Sequence, residues 1–397
     1  MRNGETPSKK NTINKNTMIT SAVATFHKLT LKKKIEIIKD FSNLNNEDLK
    51  LIKKYQELPD FLDTENNIGP FKIATNFLIN SKDYFVPMEI EEPSVVAAAS
   101  NGAKLIREGD GFFGKYLSNE MIGQIQILDV KGFQAAKNNI ERNKDKILKL
   151  ANETQPQLLK LGGGAKDFEV KKIKNYLVFY LIVNPKDALG ANMINTMLEK
   201  ISPLLAEFSG GKIGGVIISN FGERRMVFVE GKIPIEKLEK REFNGKESAE
   251  RILNFMDLAK KDIFRAVTHN KGVMNGIDAV LIASGNDFRA AESAVHSFAA
   301  KSGRYSPLTD WKIEKGFLKG EIKIPLPVAT VGGATNTKKA QLAKKILRVK
   351  NAAEFGVVCA AVGLANNLAA IFAITTEGIQ KGHMKLHQEF LKKRNNL

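Results

Sequence analysis

The sequence predicts an α/β (α+β) fold with a smaller α+β unit at about residues 119–219. Three observations predict it. Short strand-like apolar runs alternate with helix-period stretches along most of the chain. Between residues 119 and 219 the strand and helix patterns follow one another closely, as in a separate small unit. Finally, 397 residues, 43% of them hydrophobic, hold two or three domains, and no internal repeat or Pro- or Ser-rich linker is visible.

Residues 1–17 are polar and basic, with no apolar stretch behind them that resembles a secretory signal, and residues 1–24 read as a disordered extension. Residues 25–56 read as two basic amphipathic helices, the second opened by the cap-like Asn46, Glu47 and Asp48. A strand at 85–90 leads through Glu91, Glu92, Pro93 and Ser94 into a helix whose first turn suits Pro93. In the smaller unit, strands are expected at 123–130, 176–183 and 215–218, with helices at 133–152 and 191–208. A strand (225–230), a helix (248–260), a strand (279–284) and a helix (287–301) follow. A strand pair around 318–331 and helices from 338 onward complete the order. Residues 357–374 just reach the length of a membrane span, but their apolar content is mostly alanine and Asn366 and Asn367 sit near the middle. A helix buried in the protein is the expectation, and no membrane partner.

The charge balance is unusual: 61 Lys plus Arg against 43 Asp plus Glu leave +18. Such a surplus invites a nucleic-acid reading, yet no binding motif is present and few aromatics interleave the basic residues, so none is expected as partner. One cysteine, Cys359, can form no internal bridge, which fits a reducing, cytoplasmic setting. The glycine clusters at 162–166 and 210–212 lack the ending of a phosphate loop, and no G-x-G-x-x-G opens a helix. His383 and His387 share a helical face, but Met384 replaces the glutamate that zinc hydrolases carry there, so no metal is expected.

Four polar interruptions of small or apolar sequence remain: 91–94, 268–276, 285–287 and 378–384. Singly, each has an ordinary explanation. Glu92 and Asp287 would suit a helix N-terminus, Lys271 a solvated loop, and His383 an exposed surface. Together they supply an acid, a cation, a second acid and a titratable imidazole, which is a working acid–base set.

These segments, EEPSVVAAAS, THNKGVMNGID, GNDFRA and GIQKGHM, resemble the signature segments of the 3-hydroxy-3-methylglutaryl-coenzyme A (HMG-CoA) reductase family in its soluble second class. DALGANMINTM (187–197) resembles the family's nicotinamide-site segment, VGGAT (331–335) is a further family segment, and the similarity runs in order from about 26 to 387. The resemblance implies reduction of HMG-CoA to mevalonate and free coenzyme A by two NADPH or NADH hydrides, through an aldehyde. It implies Lys271 as the cation beside the carbonyl oxygen, Glu92 as general acid, Asp287 as the lysine's hydrogen-bonding partner and His383 as proton donor to the departing thiolate. Ser94, Arg265 and Asn275 become substrate contacts, Arg265 clamping the carboxylate, and Asn220 a further pocket residue. Asp187, Gly190, Ala191, Asn192, Thr196 and Gln155 become cofactor contacts.

The implied fold is a large domain (25–118 and 220–376) with a long central helix. A small, ferredoxin-like, non-Rossmann cofactor domain (119–219) is inserted in it, and a C-terminal flap begins at 377. The implied assembly is a homodimer or higher oligomer with the active site between subunits. Two departures from the family pattern bear on function. Gln155 stands where strictly NAD-using relatives carry an acid, which removes repulsion against a 2′-phosphate and tilts the balance toward NADPH. The flap stops at Leu397, shorter than the family's, which leaves an impaired homologue that binds its ligands without efficient turnover as the alternative.

Overall fold

The computed structural model describes residues 20–57, 67–378 and 380. Two short helices come first, α1 (Leu31–Ser42) and α2 (Asn46–Gln56). The cap of α2 lies one residue before the cluster that the sequence suggested: Asn45 accepts from the N–H groups of Glu47 and Asp48, and Asp48 returns a bond to the Asn45 N–H. There follow β1 (Asn67–Ile68), β2 (Phe71–Ile79), β3 (Lys82–Met88), α3 (Pro93–Arg107) and β4 (Phe112–Tyr116). Pro93 takes the first helical position, as expected.

The chain then builds β5 (Met121–Leu128), α4 (Phe133–Arg142), α5 (Lys144–Glu153), α6 (Pro156–Lys160), β6 (Gly164–Ile173), β7 (Tyr176–Asn184), α7 (Ala191–Ser209) and β8 (Lys212–Ser219). The four strands form their own antiparallel sheet in the order β6-β7-β5-β8. With its helices this is a β-α-β-β-α-β arrangement, which is ferredoxin-like. Its apolar cluster, around Ile125, Phe179, Leu181, Leu198 and Ile201, lies wholly within the unit. Sequence reading missed β6, because the preceding glycines suggested a loop. Gly164 takes a left-handed conformation (φ 93°), and the Asn152 side chain bonds both N–H and C=O of Ala165, fixing the first pair of the strand. The helical stretch expected at 133–152 is two helices, broken at Asn143.

The large body resumes with β9 (Met226–Pro234), α8 (Gly245–Lys261), α9 (Ile263–Ala283), α10 (Phe288–Ala299), β10 (Thr309–Glu314), β11 (Phe317–Pro325), α11 (Lys338–Leu347) and α12 (Ala352–Thr376). Its sheet runs β1-β2-β4-β9-β11-β10, with β3 also paired to β2. Two expectations are corrected here. The strand expected at 279–284 is the last part of α9: a short apolar run buried on all sides has no period to separate strand from helix. The strand pair expected around 318–331 lies earlier, its turn made by Lys315 and Gly316, both at positive φ (52° and 81°).

The residues 357–374 lie in α12, the centre of the body. Among its residues nearly all are buried, and its most apolar stretch is 83% enclosed by the protein. A helix apolar on every side packs on every side. Glycines let neighbours approach: a Cβ at Gly102 of α3 would sit 2.0 Å from the Ala365 carbonyl oxygen, and one at Gly276 of α9 would sit 3.0 Å from Val362 Cγ1.

Candidate active site

The turn from β3 into α3 is pinned against its surroundings. The Glu89 N–H donates to the Ala279 carbonyl of α9 (2.9 Å), the Glu89 carboxylate pairs with Lys339 (2.7 Å), and Lys72 Nζ donates to the Ile90 carbonyl (2.7 Å). Glu92 then takes the N-cap position of α3, but its side chain makes no capping bond. Instead it accepts from Ser94 Oγ at 2.6 Å. Pro93 has no N–H to satisfy, so α3 asks less of its cap.

Helix α9 carries the next set. At 3.6 residues per turn, His269, Gly272, Val273 and Gly276 face α12, while Phe264, Val267, Lys271 and Asn275 face away. Phe264 is 83% and Val267 50% exposed, and Lys271 is exposed beside them. Among the described residues no carboxylate pairs with Lys271. Asn275 is half-buried one turn later. Near the start of the helix, Arg265 lays its guanidinium over the Phe255 ring (4.5 Å), and its Nε is buried with no partner among the described residues. Burial lowers the Arg265 pKa, which leaves it a cation at any working pH.

Asp287 corrects an expectation. It sits between two helices, not between a strand and a helix, and caps α10. Its carboxylate accepts from the N–H groups of Arg289 and Ala290 (3.1 and 3.3 Å) and from Arg289 Nε (3.2 Å). All three bonds fall on Oδ1, and among the described residues no hydrogen bond joins Asp287 to Lys271. Asn220 is exposed just after β8, and His383 lies outside the described residues.

In the small unit Gly190 is the N-cap of α7 at φ 100°, and it makes no side-chain cap, so the first N–H groups of a 19-residue helix stand open. Ala191, Asn192 and Thr196 lie in the opening turns, with Thr196 Oγ1 donating to the Asn192 carbonyl (2.9 Å). Gln155 begins α6, half-buried, also without a capping bond. Asp187, expected as a cofactor contact, is also an anchor within the chain. Its Oδ1 accepts from the first N–H of α12, that of Ala352 (2.9 Å), and its carbonyl accepts from Thr330 (2.9 Å) and Val331 (3.3 Å). An anion at a helix start is stabilised there, which accounts for its placement.

The reading of the sequence passed over several residues that shape this site. Arg225 is fully buried and donates to the carbonyls of Ala188, Leu189 and Val328 (3.0, 3.1 and 2.6 Å) and to Tyr116 Oη (2.9 Å). It thereby ties the 187–190 segment to the large sheet. An arginine at the start of a strand gives no sequence signal of that role. His269 is also buried, and burial pushes its pKa down to about 3, so it is neutral. Burial and the adjoining Glu292 push the Asp278 carboxyl up, while His296 (Nε2 to Glu292 Oε2, 2.6 Å) holds Glu292 down.

Comparison with known proteins bears directly on this arrangement. The family model for hydroxymethylglutaryl-coenzyme A reductase matches residues 30–388. A 3-hydroxy-3-methylglutaryl-coenzyme A reductase of Archaeoglobus fulgidus is 46% identical, over 93% of this chain and 86% of its own length. A probable reductase of the same name from Borreliella burgdorferi is 35% identical, over 91% and 84%. A solved class II reductase from Streptococcus pneumoniae, bound to NADPH in open conformations, superposes with a TM-score of 0.81 at 36% identity, covering 88% of this chain and 99% of that one. With the match spanning both sheets and every helix from α1 to α12, the chain belongs to the hydroxymethylglutaryl-coenzyme A reductase family.

Proposed function

We propose that this oxidoreductase reduces HMG-CoA to mevalonate and free coenzyme A, with the Glu92–Ser94 pair and Lys271 at the reacting carbon. The observation that carries this reading is the state of those side chains. Glu92 heads a helix it does not cap, and Lys271 is a cation without a carboxylate partner among the described residues. Charge develops on the carbonyl oxygen as hydride adds, and a fixed cation beside it is worth ~10²–10³ in rate. Lys271 holds that oxygen, Glu92 delivers the proton, and Ser94 keeps the carboxyl oriented. Arg265, whose Nε lacks a partner among the described residues, receives the substrate carboxylate, and Asn275 its neighbouring polar groups. His383 protonates the leaving thiolate; an imidazolium with pKa ~6.5 is a suitable donor to a thiol of pKa ~8.5. Asp287, held on α10, acts on this network through its field.

The open N–H groups at the start of α7 suit a pyrophosphate, so residues 190–196 and Gln155 fit a nicotinamide dinucleotide. That cofactor would supply the hydrides. NADPH is the favoured form: Gln155 brings no negative charge against a 2′-phosphate, and the Streptococcus pneumoniae relative was solved with NADPH. The chain functions as a homodimer. Exposed Phe264 (83%) and Val267 (50%) lie on the same side of α9 as Lys271, and a second subunit there would enclose the site.

The test is oxidation of NADPH or NADH by the purified protein with HMG-CoA. Turnover is expected with both and faster with NADPH, and His383→Ala should slow it. Absence of turnover with either cofactor, alongside retained binding, would establish the impaired homologue instead.

A further inference from the structure

Between residues 355 and 374 helix α12 is apolar except for an adjacent pair of asparagines at its centre, Asn366 and Asn367, which are 3% and 1% exposed. Burying an amide is costly unless it is hydrogen-bonded, so a core helix that carries two invites an account. Both reach the same stretch of α9. Asn366 Nδ2 donates to the Gly272 carbonyl at 2.7 Å. Asn367 Nδ2 lies 3.4 and 3.3 Å from the Nδ1 and Nε2 atoms of His269 and 3.4 Å from the His269 carbonyl. Its Oδ1 accepts from Thr309 Oγ1 (2.9 Å), and Thr309 Oγ1 lies 2.7 Å from His269 Nε2. With the threonine hydroxyl donating to Asn367, His269 Nε2–H donates to Thr309 Oγ1, so His269, Thr309 and Asn367 form one chain of hydrogen bonds. The residues so gripped, 269 and 272, bracket Lys271.

We infer that Asn366 and Asn367 are positioning residues for the reduction: gripping α9 at His269 and Gly272, they fix the helix's rotation and so aim Lys271 from its opposite face. The inference rests on the reductase reading of the site. Apolar packing alone sets helix rotation loosely, because equivalent side chains slide past one another. Directed hydrogen bonds do not slide. Close approach at Gly276 and Gly363, where an added Cβ would meet Val362 and Ile277 at 3.0 and 2.9 Å, brings the short asparagine side chains within reach. The network carries no charge, since His269 is neutral by burial, so its contribution is orientation and not proton transfer.

Asn366→Leu separates this role from stability. The Gly272 carbonyl keeps its helical partner, and the Asn366 Oδ1, itself buried without a partner among the described residues, is removed, so the melting temperature should change little. Turnover should fall about tenfold or more while the KM for HMG-CoA holds within about twofold. Asn367→Leu should act in the same direction, Asn366→Gln should recover part of the loss, and NADPH affinity should be unchanged in all three. Leu364→Ala, which loosens the same helix without touching α9's hydrogen bonds, should lower the melting temperature and leave turnover as it was. Wild-type turnover in both leucine variants, or losses that merely track melting temperature as in Leu364→Ala, overturns the inference. Absence of turnover in the wild type would instead defeat the reductase reading. The positioning could then still be judged by the acylation rate of Lys271, which must differ between wild type and Asn366→Leu if the inference holds.

Discussion

The large body and the small unit present their chemistry by different means. In the large body the candidate groups are side chains: Glu92, which makes no capping bond, and, among the described residues, Lys271 without a carboxylate partner and Arg265 with an unpartnered Nε. In the small unit the candidate group is the backbone, the open start of α7 behind Gly190. Its acidic neighbour Asp187 anchors α12. The lesson is that a reaction centre depends on residue type, whereas a dinucleotide site can depend on where a helix begins. Substitutions should therefore affect the two regions differently.

Lys271→Ala should have the largest effect, a loss of ~10²–10³ in kcat with cofactor affinity unchanged, read by steady-state kinetics and by NADPH titration. Equal losses in both would erase the distinction between the regions. Arg225→Leu comes next, since it strands carbonyls on both sides of their junction. At about 1–3 kcal/mol for each buried acceptor left unpaired, the melting temperature should drop by several degrees, and the KM for NADPH should rise more than that for HMG-CoA.

That contrast also explains what could be read in advance. Glu92 and Lys271 stood out because charged residues are expensive among alanines and glycines, and amphipathic α1 and α2 because their apolar residues recur at the helical period; Arg265 came only from the family resemblance. Strand β6 was hidden by three glycines, and the end of α9 by being buried all round, since a helix without a polar side shows no period. The anchoring of Asp187 and the clasp of Arg225 join residues far apart in sequence, and Asp287's preference for its own helix depends on geometry that letter order does not carry. The asparagines of α12 were visible, but as an argument against a membrane span; only packing showed what they hold.

Two smaller effects sharpen the comparison. Gly190→Ala places a Cβ 2.9 Å from Pro185 Cβ at a φ of 100°, a strain of ~1–3 kcal/mol. It should raise the KM for NADPH several-fold while the KM for HMG-CoA stays put; the reverse pattern would move the cofactor away from α7. Asp278 adds a dependence on pH. Its folded pKa is raised to about 8, against ~3.9 in an unfolded chain. Between those values the folded protein keeps a proton that the unfolded chain has lost, so stability declines as pH climbs through that interval. Asp278→Asn should flatten the slope of melting temperature against pH there, and an unaltered slope would assign the proton elsewhere.

The position of α12 in the chain has a consequence for biosynthesis. Every strand of both sheets is made before it, yet the large body has no centre until it arrives. The four-stranded unit, whose apolar cluster is its own, can close while the ribosome is still adding residues. The larger sheet must wait, with Val227, Val229, Leu318 and Ile322 uncovered, for the helix that buries them. A chaperone that shields apolar strands should therefore meet the nascent chain on the large body and leave the small unit alone.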